Sequence, residues 1–110
     1  MKNLLTILTV LLLSQSLLSQ LSLDLEKSKI KWTGKKITNA SHWGSLSFSE
    51  ANLDFDGDDL VGGKFIVDMN SMSVDDIQGR GKQRLEGHLR NEDFFDVENH
   101  KEAILLFNER

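Results

Sequence analysis

From Ser28 to Phe55 apolar and polar side chains tend to alternate, and they alternate again from Gly63 to Met69. A period of two sends successive side chains to opposite faces of an extended strand, whereas a helix would repeat its apolar positions every third or fourth residue. Ile30-Lys31-Trp32-Thr33 is the first such run. After Gly34 and a polar segment through Ser41, Gly44, Leu46 and Phe48 form one face, with Ser45, Ser47 and Ser49 on the other. Ala51, Leu53 and Phe55 carry the alternation up to Asp56-Gly57-Asp58, where a glycine beside aspartates supplies the positive φ of a tight reversal. The pattern predicts a hairpin in which Leu60 to Met69 returns antiparallel to Gly44 to Phe55. Gly62-Gly63 marks a bulge or bend early in the returning strand.

Beyond Met69 the pattern changes. Leu85 and Leu89, four residues apart, predict a short helix within Asp75 to Leu89 that ends near Asn91. Asp93-Phe94-Phe95-Asp96-Val97 is an apolar plug between charges, and Ala103 to Phe107 reads as a final strand. The fold class expected is mainly β and antiparallel, with a short helix in the second half.

Met1-Lys2-Asn3 precedes Leu4 to Leu13, an uncharged stretch of Leu, Ile, Val and Thr. That order matches a secretory signal peptide, and its apolar run falls well short of the roughly 20 residues a membrane-crossing helix needs. Small residues at Ser14, Ser16 and Ser19 place cleavage after Ser16 or Ser19. Residues 1–19 are therefore expected to be the leader and residues 20–110 the domain. The sequence contains no cysteine, which excludes a lipoprotein anchor. The mature protein is expected to be periplasmic or secreted, with no stable membrane anchor once the signal is cleaved.

A mature chain of this length makes one small domain, and without cysteine it has no disulfides to supplement its core. The formal charge of −4 argues against a nucleic-acid partner, because neutralising phosphates takes clustered Lys and Arg.

Few candidates for chemistry survive inspection. Asp54, Asp56 and Asp58 have the opening spacing of a calcium loop, but Asp59 stands where the loop needs glycine and Phe65 where it needs a bidentate glutamate. His42, His88 and His100 lie far apart, without the short ligand pairs of zinc sites. No serine sits in a nucleophile elbow. The expectation is a protein without catalytic residues, metal or cofactor. What remains is an apolar face of Trp32, Leu46, Phe48, Phe65, Val67 and Met69. The same residue types would build a packed core or the wall of a ligand cavity, and periodicity does not separate the two.

Five words occur in order: Lys31-Trp32-Thr33-Gly34-Lys35, Ser41-His42-Trp43-Gly44, Gly62-Gly63-Lys64-Phe65-Ile66-Val67-Asp68-Met69-Asn70-Ser71-Met72, Leu85-Glu86-Gly87-His88-Leu89 and Asp93-Phe94-Phe95-Asp96-Val97. Together they resemble the YceI-like family over about Ser28 to Leu105. The resemblance implies an extended antiparallel β-barrel of lipocalin-like type, exported to the periplasm, whose apolar lumen holds a polyisoprenoid or fatty-acyl chain. It makes an isoprenoid or other long-chain lipid the expected partner and the six apolar residues above the expected lumen wall. Two positions depart from the family pattern: Trp43 replaces a smaller residue, and Lys101 stands where proline is common.

The family domain continues through further strands, so the barrel is expected to be incomplete in this chain. Its open edge would favour marginal folding or association, a dimer being one outcome. The competing expectation is an exported stress or accessory β-domain with a filled core that acts through a protein partner.

Overall fold

The two segments with the clearest alternation form the central hairpin of the sheet. The computed structural model describes residues 18–108. In chain order it contains β1 (Leu18–Ser22), β2 (Lys29–Lys35), β3 (Ser41–Asp56), β4 (Asp59–Val74), α1 (Gly79–Arg90) and β5 (Glu102–Asn108). β3 and β4 pair antiparallel, closed by Asp56 opposite Asp59. The two-residue loop between them begins with Gly57 at φ +60°, as a type II′ connection requires.

β5 adds antiparallel to the far edge of β4, from Glu102 opposite Asp68 to Asn108 opposite Gly62. On the outer edge of β3, β2 pairs with its first half and β1 with its second, so the two short strands lie end to end along one long one. The result is a five-stranded antiparallel sheet that is not closed: among the described residues β5 and β2 have no pairing to each other. β1 straddles the expected leader boundary at Ser19, and cleavage after Ser16 would leave the whole of β1 attached. The apolar run Leu4 to Leu13 lies outside the described residues.

One sequence expectation needs correction. The change of pattern after Met69 is not the end of the returning strand, because β4 continues to Val74. Between Ser45 and Ser47 on β3 the pairing jumps from Ser73 to Asp68 on β4, so Met69 to Met72 form a bulge. Local side chains satisfy the backbone there: Ser71 Oγ accepts from the Ser47 N–H at 2.7 Å, and the Asn70 N–H donates to Asp68 Oδ1 at 3.0 Å. The bulge shifts the parity of the strand. Met69 and Met72, three residues apart, both end up buried.

A second bulge, between Phe48 and Glu50, does the same on β3 and keeps Phe48 and Ala51 on one face.

The buried core gathers Met69, Met72 and Val74 of β4, Leu89 of α1 and Val97 of the following loop, with Trp32, Leu46, Val67, Ile77 and Leu85 packed around them. α1 has weak terminal signals: Gln78 gives no side-chain cap and the first turn holds no acidic residue. Its position therefore comes from packing and from cross-links to β4. Glu86 Oε2 accepts from the Val74 N–H at 3.1 Å, and the Arg90 guanidinium donates to the carbonyls of Met72 and Asn70. The loop after α1 is tied back by N–H groups of Phe95 and Val97 donating to the carbonyls of Leu89 and Arg90, each at 3.1 Å. It is this loop that drives Val97 into the core.

Candidate functional site

The inward side of the sheet and the C-terminal end of α1 enclose an apolar cleft of about 440 Å³. β2 contributes Ile30 and Trp32, β3 Leu46, β4 Val67, Met69 and Met72, and β5 Ala103. Leu89, Phe94 and Phe95 complete it from the helix side, and only Thr33 and Gly34 bring a more polar character to the lining.

Trp32 is fixed in this wall from two directions. Its Nε1–H donates to the Ser73 carbonyl at 3.1 Å, so the polar end of the indole is satisfied while its face is left for the cleft. The ring lies over Gly44, where a Cβ would collide with the Ser73 carbonyl and approach Trp32 Cζ2 to 2.7 Å. Glycine at 44 is what lets the indole and β4 close on each other.

Of the six apolar residues expected along the lumen, Trp32, Leu46, Val67 and Met69 line the cleft. Phe48 and Phe65 sit farther along the same face. Their ring centroids are 5.8 Å apart, and Phe65 stacks on Phe107 at 6.2 Å. The cleft thus runs toward an aromatic cluster at its far end. Ile30, Met72, Leu89, Phe94, Phe95 and Ala103 were not assigned to the lumen from sequence. For Met72 a signal existed, since a methionine at odd spacing from Met69 in a continuing strand implies a bulge. For Leu89 and the Phe94-Phe95 plug nothing in the periodicity says which face of the sheet the helix will cover.

At the α1 end the cleft opens between the β2–β3 turn and the helix. Trp32, Gly34, Leu89 and Phe94 pass directly into a rim of Lys35, Lys36, His42 and His88, with Arg84 beside them. His42 Nδ1 donates to Asp76 Oδ2 at 2.9 Å. Burial pushes the Asp76 carboxyl up, but the His42 hydrogen bond and the backbone N–H groups of Trp43 and Asp76 outweigh it and hold the group below the ordinary range. Asp75 is likewise lowered, by hydroxyls of Ser73 and Ser45 donating at 2.7 and 2.8 Å.

A carboxyl depressed in the folded state stabilises the fold above its unfolded value and loses that contribution as pH falls through the folded one. Stability should accordingly decline as pH drops below the ordinary carboxylate value of 3.8. Urea midpoints measured from about pH 5 down to about pH 3 should fall more steeply for the parent than for Asp75→Asn/Asp76→Asn. Equal slopes in the two proteins would show that these carboxyls do not couple folding to pH.

A family model, the YceI-like domain, matches residues 21–108. The chain belongs to the YceI-like family. No curated protein and no solved structure matches it. In this YceI-like domain each of the five sequence words builds part of the cleft. The first places Trp32, the second Gly44 beneath it, the third Val67, Met69 and Met72, the fourth Leu89, and the fifth Phe94 and Phe95.

The two departures are accommodated outside the cleft. Trp43 lies half-exposed, with Lys31 Nζ 4.4 Å from its ring centroid. Lys101 serves β4 through its main chain, its carbonyl accepting from the Met69 N–H at 3.0 Å, a bond proline would also permit. Among the described residues, no helix is long and apolar enough to cross a membrane.

Proposed function

We propose that this YceI-like domain is an exported lipid carrier that holds a polyisoprenoid or another long acyl chain in the cleft without transforming it. The observation that carries this reading is the cleft itself: a continuous apolar wall from four strands and a helix, of the size small-molecule sites have. Export is supported by the leader-like order of Lys2 and the uncharged run Leu4 to Leu13.

The test is titration of the delipidated full chain with a homologous series of alkyl and prenyl alcohols. Each methylene moved from water into the cleft contributes about 0.8 kcal/mol, so affinity should rise about fourfold per carbon until the cleft is filled. Val67→Asp, which sets a carboxylate in the wall, should abolish binding. If no lipid can be extracted from the freshly purified protein and affinity is independent of chain length, carriage fails. The filled-core domain acting through a protein partner is then the better description.

A further inference from the structure

We propose that the surface around the cleft mouth docks reversibly on a lipid bilayer bearing anionic head groups. Ile37, Phe94 and Phe95 enter the interface, and Lys35, Lys36 and Arg84 meet the head groups. This rests on the carriage reading, because a carrier of an insoluble chain loads and unloads where such chains are held. Ile37, on the turn between β2 and β3, is fully exposed, and Phe94 and Phe95 stand half out of the fold on the loop after α1. The turn and the loop flank one opening: Lys35, Lys36 and Phe94 line it together, and it continues past Gly34 and Trp32 into the cleft. Exposed aliphatic and aromatic tips set among Lys and Arg have the composition of an interfacial anchor.

Charge points the same way. Among the described residues Lys35, Lys36 and Arg84 form no ion pair, and Asp76 is already the acceptor for His42. Glu92 and Asp93 precede Phe94 in the chain but do not line the opening. At the other end of β3, roughly 50 Å of strand away, the hairpin carries Asp54, Asp56, Asp58 and Asp59. Lys64, the cation nearest them in β4, is paired with Glu50 at 3.4 Å. A sheet basic at one end and acidic at the other turns its cleft mouth toward a negatively charged surface.

The chain has no cysteine, so a single one can carry an environment-sensitive fluorophore. Thr38→Cys labels the turn beside Ile37, and Asp58→Cys labels the acidic hairpin; both positions are exposed. Full chain mixed with phosphatidylglycerol/phosphatidylcholine vesicles should show a blue shift at 38 and none at 58. Vesicles of phosphatidylcholine alone should give a much weaker response, and raising salt should reduce the shift. Membrane contact made by residues 1–17 would not move the label at 38. In the Thr38→Cys protein, Ile37→Ser should raise the vesicle concentration for half-maximal shift about tenfold or more while keeping hexadecanol affinity in solution. Lys35→Gln/Lys36→Gln should raise it about fivefold for each charge removed.

An equal shift at both positions, or a shift at 38 indifferent to lipid charge and salt, overturns the docking face. No shift at either position overturns it too and leaves this surface to a protein partner. In each case hexadecanol binding in solution decides separately whether carriage stands.

Discussion

Met72→Ala should lower the unfolding free energy by about 2–5 kcal/mol, the range for truncating a fully enclosed methionine in a core that cannot collapse onto the gap. Met72 is 2% exposed and sits where the bulge of β4 presses the sheet against α1, among Met69, Val74, Leu89 and Val97. A domain of this size has a margin of about 5–15 kcal/mol, so the loss would take a large fraction of it. Urea denaturation should show the midpoint falling with the slope unchanged. Leu106→Ala is the control: at 67% exposure on β5 it should cost no more than about 0.5 kcal/mol. Equal midpoints for the two variants would mean that the methionine cluster is not the stabilising centre of the fold.

Gly44→Ala should cost nearly as much, though it adds an atom instead of removing three. Overpacking a closed site costs roughly 1–3 kcal/mol, and displacing the indole would also sacrifice the Trp32 bond to the Ser73 carbonyl, worth about 1 kcal/mol. The new methyl group meets a strand carbonyl, which cannot rotate away as a side chain would. β3 is paired on both sides here, with Trp32 opposite on β2 and Val74 opposite on β4. The variant should melt earlier, with tryptophan emission shifted to the red as Trp32 is pushed toward water. Gly87→Ala, in α1 with open space at its Cβ, should by contrast be neutral or stabilising by up to about 1 kcal/mol. Indistinguishable melting of Gly44→Ala and the parent would show that the strands separate there at no cost, and the account of how Trp32 is fixed would fall.

The two substitutions mark the boundary between what was legible in the chain and what was not. The hairpin was legible because alternation and the Asp56-Gly57-Asp58 turn are local: side-chain parity and a positive φ act within a few residues. The helix was legible because Leu85 and Leu89 share a face at its own period. The family words were legible as words. Their order pointed to the YceI-like family before any contact between them was known.

The bulges at Met69 to Met72 and at Ser49 were visible only as broken parity. An interruption of period two reads equally as the end of a strand, and the cross-strand bond from the Ser47 N–H to Ser71 is what makes it a bulge. Four of the six apolar residues expected along the lumen meet in the cleft, whereas Phe48 packs against Phe65 and Phe65 stacks on Phe107, a partner supplied by the distant strand β5.

By itself, then, the sequence determined the central hairpin and its turn, the helix, the final strand and the apolar side of each stretch between bulges, because those depend on neighbours along the chain; it did not mark β1 or the extension of β4 to Val74. Only the tertiary structure decided that α1 and the Phe94-Phe95 loop cover one end of that apolar side, leaving a cleft with a cationic rim. That choice depends on which distant surfaces bury each other best, and on the hydrogen bonds from Glu86 and Arg90 that hold the helix to β4.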